Sequence, residues 1–216
     1  MPVGARRRVP VWVKLADSAY VAVVVPSYWP AYTPWNFLYF CDVALLVTAV
    51  AIWIESPLLV SMQAVAITLP QLLWVVDLLS RLLLGVHVTG VTSYMLDPRI
   101  PVFLRGLSSF HGWLPFLLLW LLSRLGYDRR ALPLQSTAAI VILLVSYLFA
   151  PAPPPPTDHP TWAVNLNYVY GLDDRRPQTA LPPSLWLLCV MAFDLLVVYV
   201  PTHHALRRLF ARPGST

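Results

Sequence analysis

The chain has 216 residues with a formal charge of +5, and 58% of them are hydrophobic against 12% charged, for a mean hydropathy of +0.65. A water-soluble domain carries about 25% charged residues, so this composition excludes a surface that faces water on all sides and selects an integral membrane protein. The arginines fall in short clusters between apolar runs, which suits orientation in a bilayer and excludes a nucleic-acid-binding face. The two cysteines, Cys41 and Cys189, both lie in apolar runs and offer neither a disulfide framework nor zinc spacing. No cofactor and no metal is expected.

In chain order, residues 1–10 form a basic tail with Arg6, Arg7 and Arg8. The run Val11 to Val25 follows, interrupted by Lys14 and Asp17. It reads as a short span whose lysine snorkels, a helix lying in the interface, or a signal peptide. Asp17 breaks the apolar part and no small-residue cleavage site follows, which favours a retained helix. Five further runs reach or approach the roughly 20 residues that cross a bilayer: Trp35 to Ile54, Pro57 to Leu79, Val102 to Leu122, Leu132 to Ala150 and Pro183 to Val200. The expected fold is an all-α polytopic bundle of about six transmembrane helices. It forms one domain over residues 11–210, with a tail at 211–216 and extracytoplasmic loops at about 85–101 and 151–182.

Six spans with an inner N-terminus put Arg6, Arg7, Arg8, Lys14, Arg124, Arg129, Arg130, Arg207, Arg208 and Arg212 inside, and Arg81, Arg99, Arg105, Arg175 and Arg176 outside. Positive residues favour the cytoplasmic side, so both termini are expected there, in a multi-pass cell-membrane protein of bacterial inner-membrane type. Residues 86–101 could dip back towards the membrane. Residues 151–156 (PAPPPP) form a stiff extended spacer leading into the polar, aromatic WAVNLNYVYGLDDRRP. No fixed-period repeat marks an inverted-repeat transporter.

Ionisable groups at membrane depth are costly and point to polar networks or function. At about 1.5 Å per residue, Cys41 falls ~9 Å below the start of its run and His111 ~13 Å below the start of its own, on helices running the same way. A thiol and an imidazole at one level can become neighbours, and a histidine beside a cysteine generates the thiolate nucleophile. Asp42 projects about 100° from Cys41 round a helix, away from the same atom, and is available to orient His111 or bond an opposing helix. The same residues also suit a structural role, since cysteine is a common core residue. Asp77 with Arg81 at i+4 reads as a helix ion pair. Asp194 has no local partner and is a candidate for a buried network. His203 and His204 lie near arginines with no acidic or thiol partner, which argues against a metal there.

LYFCDVALL resembles the L-x-x-C-D-x-A-L stretch of YwaF-like bacterial integral membrane proteins, a six-span group. SYMLDPRIPVFLRGLSSFHGWLPF looks like their segment ending in F-x-x-H-G, and NLNYVYG looks like their N-Y-x-x stretch before the last span. The likeness covers residues 36 to about 171. That group is similar to a eukaryotic superfamily of membrane lipid acyltransferases and fatty-acid-ester hydrolases that pair a Cys or Thr nucleophile with a His. The resemblance implies Cys41 as nucleophile and His111 as base, with Asn165 and Tyr168 matching the polar loop motif. Many relatives have His two residues before the Cys, where this chain has Tyr39.

The expected partners are membrane lipids, with a lipid acyl ester as substrate, and no nucleic acid; the sequence does not fix the oligomeric state. Two other functions fit the same residues. One is a small transporter relaying protons through Asp42, His111 and Asp194. The other is a non-catalytic membrane scaffold held together by its polar side chains.

Overall fold

A computed structural model describes residues 9–210, and among these every regular element is helical. Arg6, Arg7, Arg8, Arg212 and the tail 211–216 lie outside the described residues. The helices are α1 (Val11–Tyr32), α2 (Phe40–Ile54), α3 (Pro57–Leu84), α4 (Val102–Leu107), α5 (Phe110–Leu125), α6 (Ala131–Phe149), α7 (Pro183–Phe193) and α8 (Val200–Phe210). A π-helical segment, Asp194–Tyr199, joins α7 to α8 in one continuous rod.

Four rods are long and apolar enough to cross a membrane: Pro57–Leu84, Val102–Leu125, Ala131–Phe149 and Pro183–Phe210. Large apolar side chains stand exposed around them, among them Leu83, Val102, Phe149 and Leu188. Such a continuous greasy exterior suits lipid as the outer solvent. α2 is apolar but has only 15 residues, about 22 Å at the helical rise. α1 has 22 residues and carries Lys14 and Asp17 in its lower half.

Successive long helices alternate in direction. Lys14 bonds Glu55 at 2.8 Å, which ties the start of α1 to the end of α2. Tyr127 N–H donates to Phe210 C=O, and Asp128 N–H to Ser61 Oγ, so the start of α3, the end of α5 and the end of α8 share that lower end. Ala163 N–H donates to Tyr32 C=O, which joins the end of α1 to the loop 151–182 at the upper end. Val9 and Phe210 therefore lie at the same end of the bundle.

α3 is the central element, packed against α2, α5, α6 and the π segment. Its buried face carries the small residues Ser61, Ala64 and Thr68 beside Val60 and Ile67. In lipid no hydrophobic force drives helices together, so close backbone approach over small residues supplies the packing energy. Local chemistry sets its ends. Ser56 Oγ accepts from Leu59 N–H and Pro57 opens the first turn, while Gly85, at φ 75, closes the last.

α3 runs five residues past the expected Leu79 to Leu84 and the last rod ten past Val200 to Phe210, and three further departures from the sequence reading have a local reason. α2 starts at Phe40 because residues 34–38 form a tight 3-10 turn after Pro34 and Tyr39 is extended. The run from Val102 breaks at Ser108–Ser109, so His111 is the second residue of α5. The first helix runs on from Val25 to Tyr32 through Pro26 and Pro30.

Candidate functional site

The upper end of α2 is built by a loop from the far side of the sequence. Asn167 Oδ1 accepts from Phe40 N–H at 3.0 Å, and its Nδ2 donates to Leu38 C=O at 2.9 Å. A side chain 127 residues away thus supplies the cap that Tyr39 cannot. Asn165, Asn167 and Tyr168 all have positive φ, at 51°, 53° and 63°. Non-glycine residues in that region cost of order 1 kcal/mol or more each and cluster at functional sites.

Cys41 and Asp42 are the second and third residues of α2, directly beneath this loop. Cys41 Sγ donates to Asp42 Oδ2 at 3.5 Å. The expectation that Asp42 would point away from the thiol is therefore wrong. At a first turn, neighbouring short side chains can curl together despite the 100° offset between their Cα–Cβ bonds. Asp42 is only 4% exposed, and its Oδ1 has no hydrogen-bond partner. Position favours it there, since a helix N-terminus stabilises negative charge. The hydroxyls of Tyr28, Tyr32 and Tyr94 lie within electrostatic range of Asp42, and those of Tyr94 and Tyr168 within range of Cys41.

His111 lies in the first turn of α5. Its Nδ1 lies 2.8 Å from Ser108 C=O. A carbonyl only accepts, so Nδ1 carries the proton and the neutral ring presents Nε2 as an acceptor. The ring stacks on Trp74, with centroids 5.3 Å apart and planes 22° from parallel. Trp74 Nε1 donates to Tyr94 Oη at 3.2 Å, and Tyr28 Oη pairs with Ser108 Oγ at 2.8 Å. Tyr94 thus lies within range of Cys41 while bonding the indole on which His111 rests. No hydrogen bond joins Cys41 to His111 directly.

At the break between α4 and α5 the Ser108 carbonyl accepts both the backbone N–H of His111, at 3.2 Å, and its imidazole. The loop that carries Tyr94 is held in turn by Asp77. That carboxylate accepts from Thr89 N–H (2.7 Å), Gly90 N–H (3.0 Å), Thr92 N–H (3.1 Å) and Thr92 Oγ1, with His87 Nδ1 at 3.3 Å. The expected Asp77–Arg81 ion pair is absent, and Arg81 bonds Gly85 C=O instead. Four donors from one loop outbid a single flexible arginine. The loop 85–101 is thereby pinned onto the top of α3.

The other sequence candidates fall into separate places. Asn165 is buried and fully used by its own loop: Oδ1 accepts from Tyr170 N–H at 2.8 Å, and Nδ2 donates to Gly171 C=O at 2.9 Å and Asp174 Oδ1 at 3.1 Å. Tyr168 gives its carbonyl to Trp186 Nε1. Asp194 sits in the π segment, with no hydrogen bond or ion pair to Asp42 or His111. His203 bonds Tyr127 Oη at 2.6 Å at the lower end. Among the described residues, no group of three or more His, Cys, Asp or Glu could hold a metal ion.

Sequence reasoning missed Tyr28, Trp74, Tyr94, Ser108 and Asn167. A local signal existed only for Asn167, as a second asparagine in the polar NLNY stretch. The rest look like ordinary interfacial aromatics and a serine. No protein-family model, curated protein or solved structure matches the chain.

Proposed function

We propose that the chain crosses the cell membrane six times with both termini cytoplasmic, and that it cleaves or transfers lipid acyl esters at Cys41 with His111 as base. One observation carries this reading. The thiol and the Nε2-presenting imidazole both stand in first turns at one end of the bundle, linked through Tyr94, which lies within electrostatic range of Cys41 and accepts from the Trp74 indole on which His111 stacks. In the proposed step Cys41 Sγ attacks the ester carbonyl carbon and the C–O bond breaks. The thiol proton passes by way of His111 Nε2 to the leaving alcohol, and the thioester goes on to water or another hydroxyl. Asp42 holds the thiol until substrate arrives, and the Tyr94 hydroxyl supplies a donor for the developing oxyanion.

The test is acyl turnover by the purified chain in vesicles of labelled phospholipid. Cys41→Ala abolishes turnover, and His111→Ala lowers it by about 100-fold or more, as removal of a general base does. A lipophilic thiol probe labels Cys41 and labels it more slowly in His111→Ala. Undiminished turnover in Cys41→Ala ends this reading.

A scaffold role has one observation in its favour: the thiol donates to a buried carboxylate, as a packing group would. It predicts no turnover of any lipid by the native chain, together with a lowered melting temperature in both Asp42→Ala and His111→Ala.

A further inference from the structure

A second polar feature lies away from Cys41. Between α6 and the rod formed by α7 and the π segment runs a groove of about 240 Å³, walled by Ala139, Leu143, Leu188 and Met191. Ile140 and Leu188 on its rim are exposed on the flank of the bundle, so it opens sideways. Two groups interrupt the apolar wall. Asp194 Oδ2 and Tyr199 Oη are both buried with no hydrogen bond within 3.5 Å, and Tyr199, only 2% exposed, has Gln135 as its nearby polar side chain besides Asp194. Ser136, also in the lining, has its hydroxyl spent on Leu132 C=O.

The π segment begins at Asp194 and ends at Tyr199. Such single-turn widenings often mark functional sites, because the extra residue re-aims side chains. Asp194 stands eleven residues into the rod that begins at Pro183, about 16 Å along its axis. An unpaired polar atom at such depth costs about 1–3 kcal/mol when nothing meets it. A pair of them facing one groove marks a place for a ligand.

We propose that this groove binds an aliphatic chain bearing a hydroxyl group, which donates to Asp194 and accepts from Tyr199. The chemistry selects among headgroups. A carboxylate oxygen requires a donor, and a phenol with no acceptor offers its own proton. A hydroxyl meets both requirements with one atom. An ammonium only donates, and a ligand carboxylate only accepts while setting like charge against Asp194. The volume fits as well, since an apolar cavity of roughly 150 Å³ already admits benzene. The remaining wall is hydrocarbon, suited to the methylene chain. This site is independent of any reaction at Cys41.

Equilibrium binding of labelled dodecanol, dodecane, dodecylamine and dodecanoate to the full chain in lipid nanodiscs tests it. Dodecanol binds at least about tenfold more tightly than the other three, the worth of roughly one well-made hydrogen bond. Tyr199→Phe and Asp194→Leu each lower dodecanol affinity to that of dodecane, Ala139→Phe removes binding by filling the groove, and Cys41→Ala changes nothing. Tyr199→Phe deletes an oxygen with no hydrogen bond within 3.5 Å and keeps the ring, so it decides the matter if Asp194→Leu does not fold. Equal affinity for dodecane and dodecanol, tighter binding of the amine or the acid, or undiminished dodecanol binding in Tyr199→Phe each overturns the proposal. Loss of turnover in Cys41→Ala with dodecanol binding intact separates this site from the thiol chemistry.

Discussion

Asp77 and Asp194 are both carboxylates on long apolar rods, and their surroundings are opposite. Asp77 is wholly buried and receives donors from Thr89, Gly90 and Thr92. Asp194 keeps a buried oxygen with no partner, beside a groove. The contrast separates two uses of the same expensive side chain. A carboxylate saturated by one loop's backbone is a fastening, whereas an unsaturated one beside open volume is available to something outside the chain. Asp42 lies between these cases: one oxygen holds Cys41 and the other is unpartnered.

The comparison breaks most sharply on substitution by the isosteric amide. Asp77→Asn sets an amide N–H₂ against the Thr92 donors and is expected to cost about 3 kcal/mol, since charged hydrogen bonds are lost and buried donors left unmet. Asp194→Asn loses no protein hydrogen bond and should change stability by less than about 1 kcal/mol. Unfolding titrations of both variants in mixed micelles check the pair. Equal losses would show that saturation does not distinguish them.

A smaller effect is expected at the roof of the Cys41 cluster. Asn167→Gly keeps the left-handed backbone conformation and removes both bonds to the start of α2. The expected cost is about 1–2 kcal/mol, the scale of a helix cap. Hydrogen exchange at Phe40 and Cys41 should accelerate while the core of α3 stays protected.

The smallest effect is at the surface of the upper loop. Arg99 clasps Asp97 through its side chain and backbone, which lowers that carboxyl from 3.8 to about 2. A carboxyl lowered in the fold contributes stability above its unfolded value and loses it as pH falls through the folded one. The contribution is thus complete above about pH 4 and gone near pH 2. Exchange protection of residues 92–100 should weaken across that window in the native chain and stay flat in Asp97→Asn.

The helices were legible one at a time because each needs only a run of apolar residues, and hydrocarbon accepts such runs wherever they fall. Four rods match spans read from composition, and the shorter α2 lies within a fifth. The boundary at Phe40 was not legible, because Pro34 and the cap from Asn167 act on a run that is hydrophobic throughout. The site was legible in part for a similar reason. Cys41, Asp42 and His111 announce themselves as polar residues in oil, while Tyr28, Trp74 and Tyr94 are unremarkable until their hydroxyls and ring faces meet.

The sequence by itself determined that this chain is an all-helical bundle apolar enough for a membrane and which polar groups interrupt its helices, since both follow from the transfer cost of each residue in turn. Only the tertiary structure decided what those groups meet. Thr92 reaches Asp77 across 15 residues, Ser108 reaches Tyr28 across 80 and Asn167 reaches Phe40 across 127. A hydrogen bond depends on sub-ångström distance and on direction, and nothing local in a sequence encodes either.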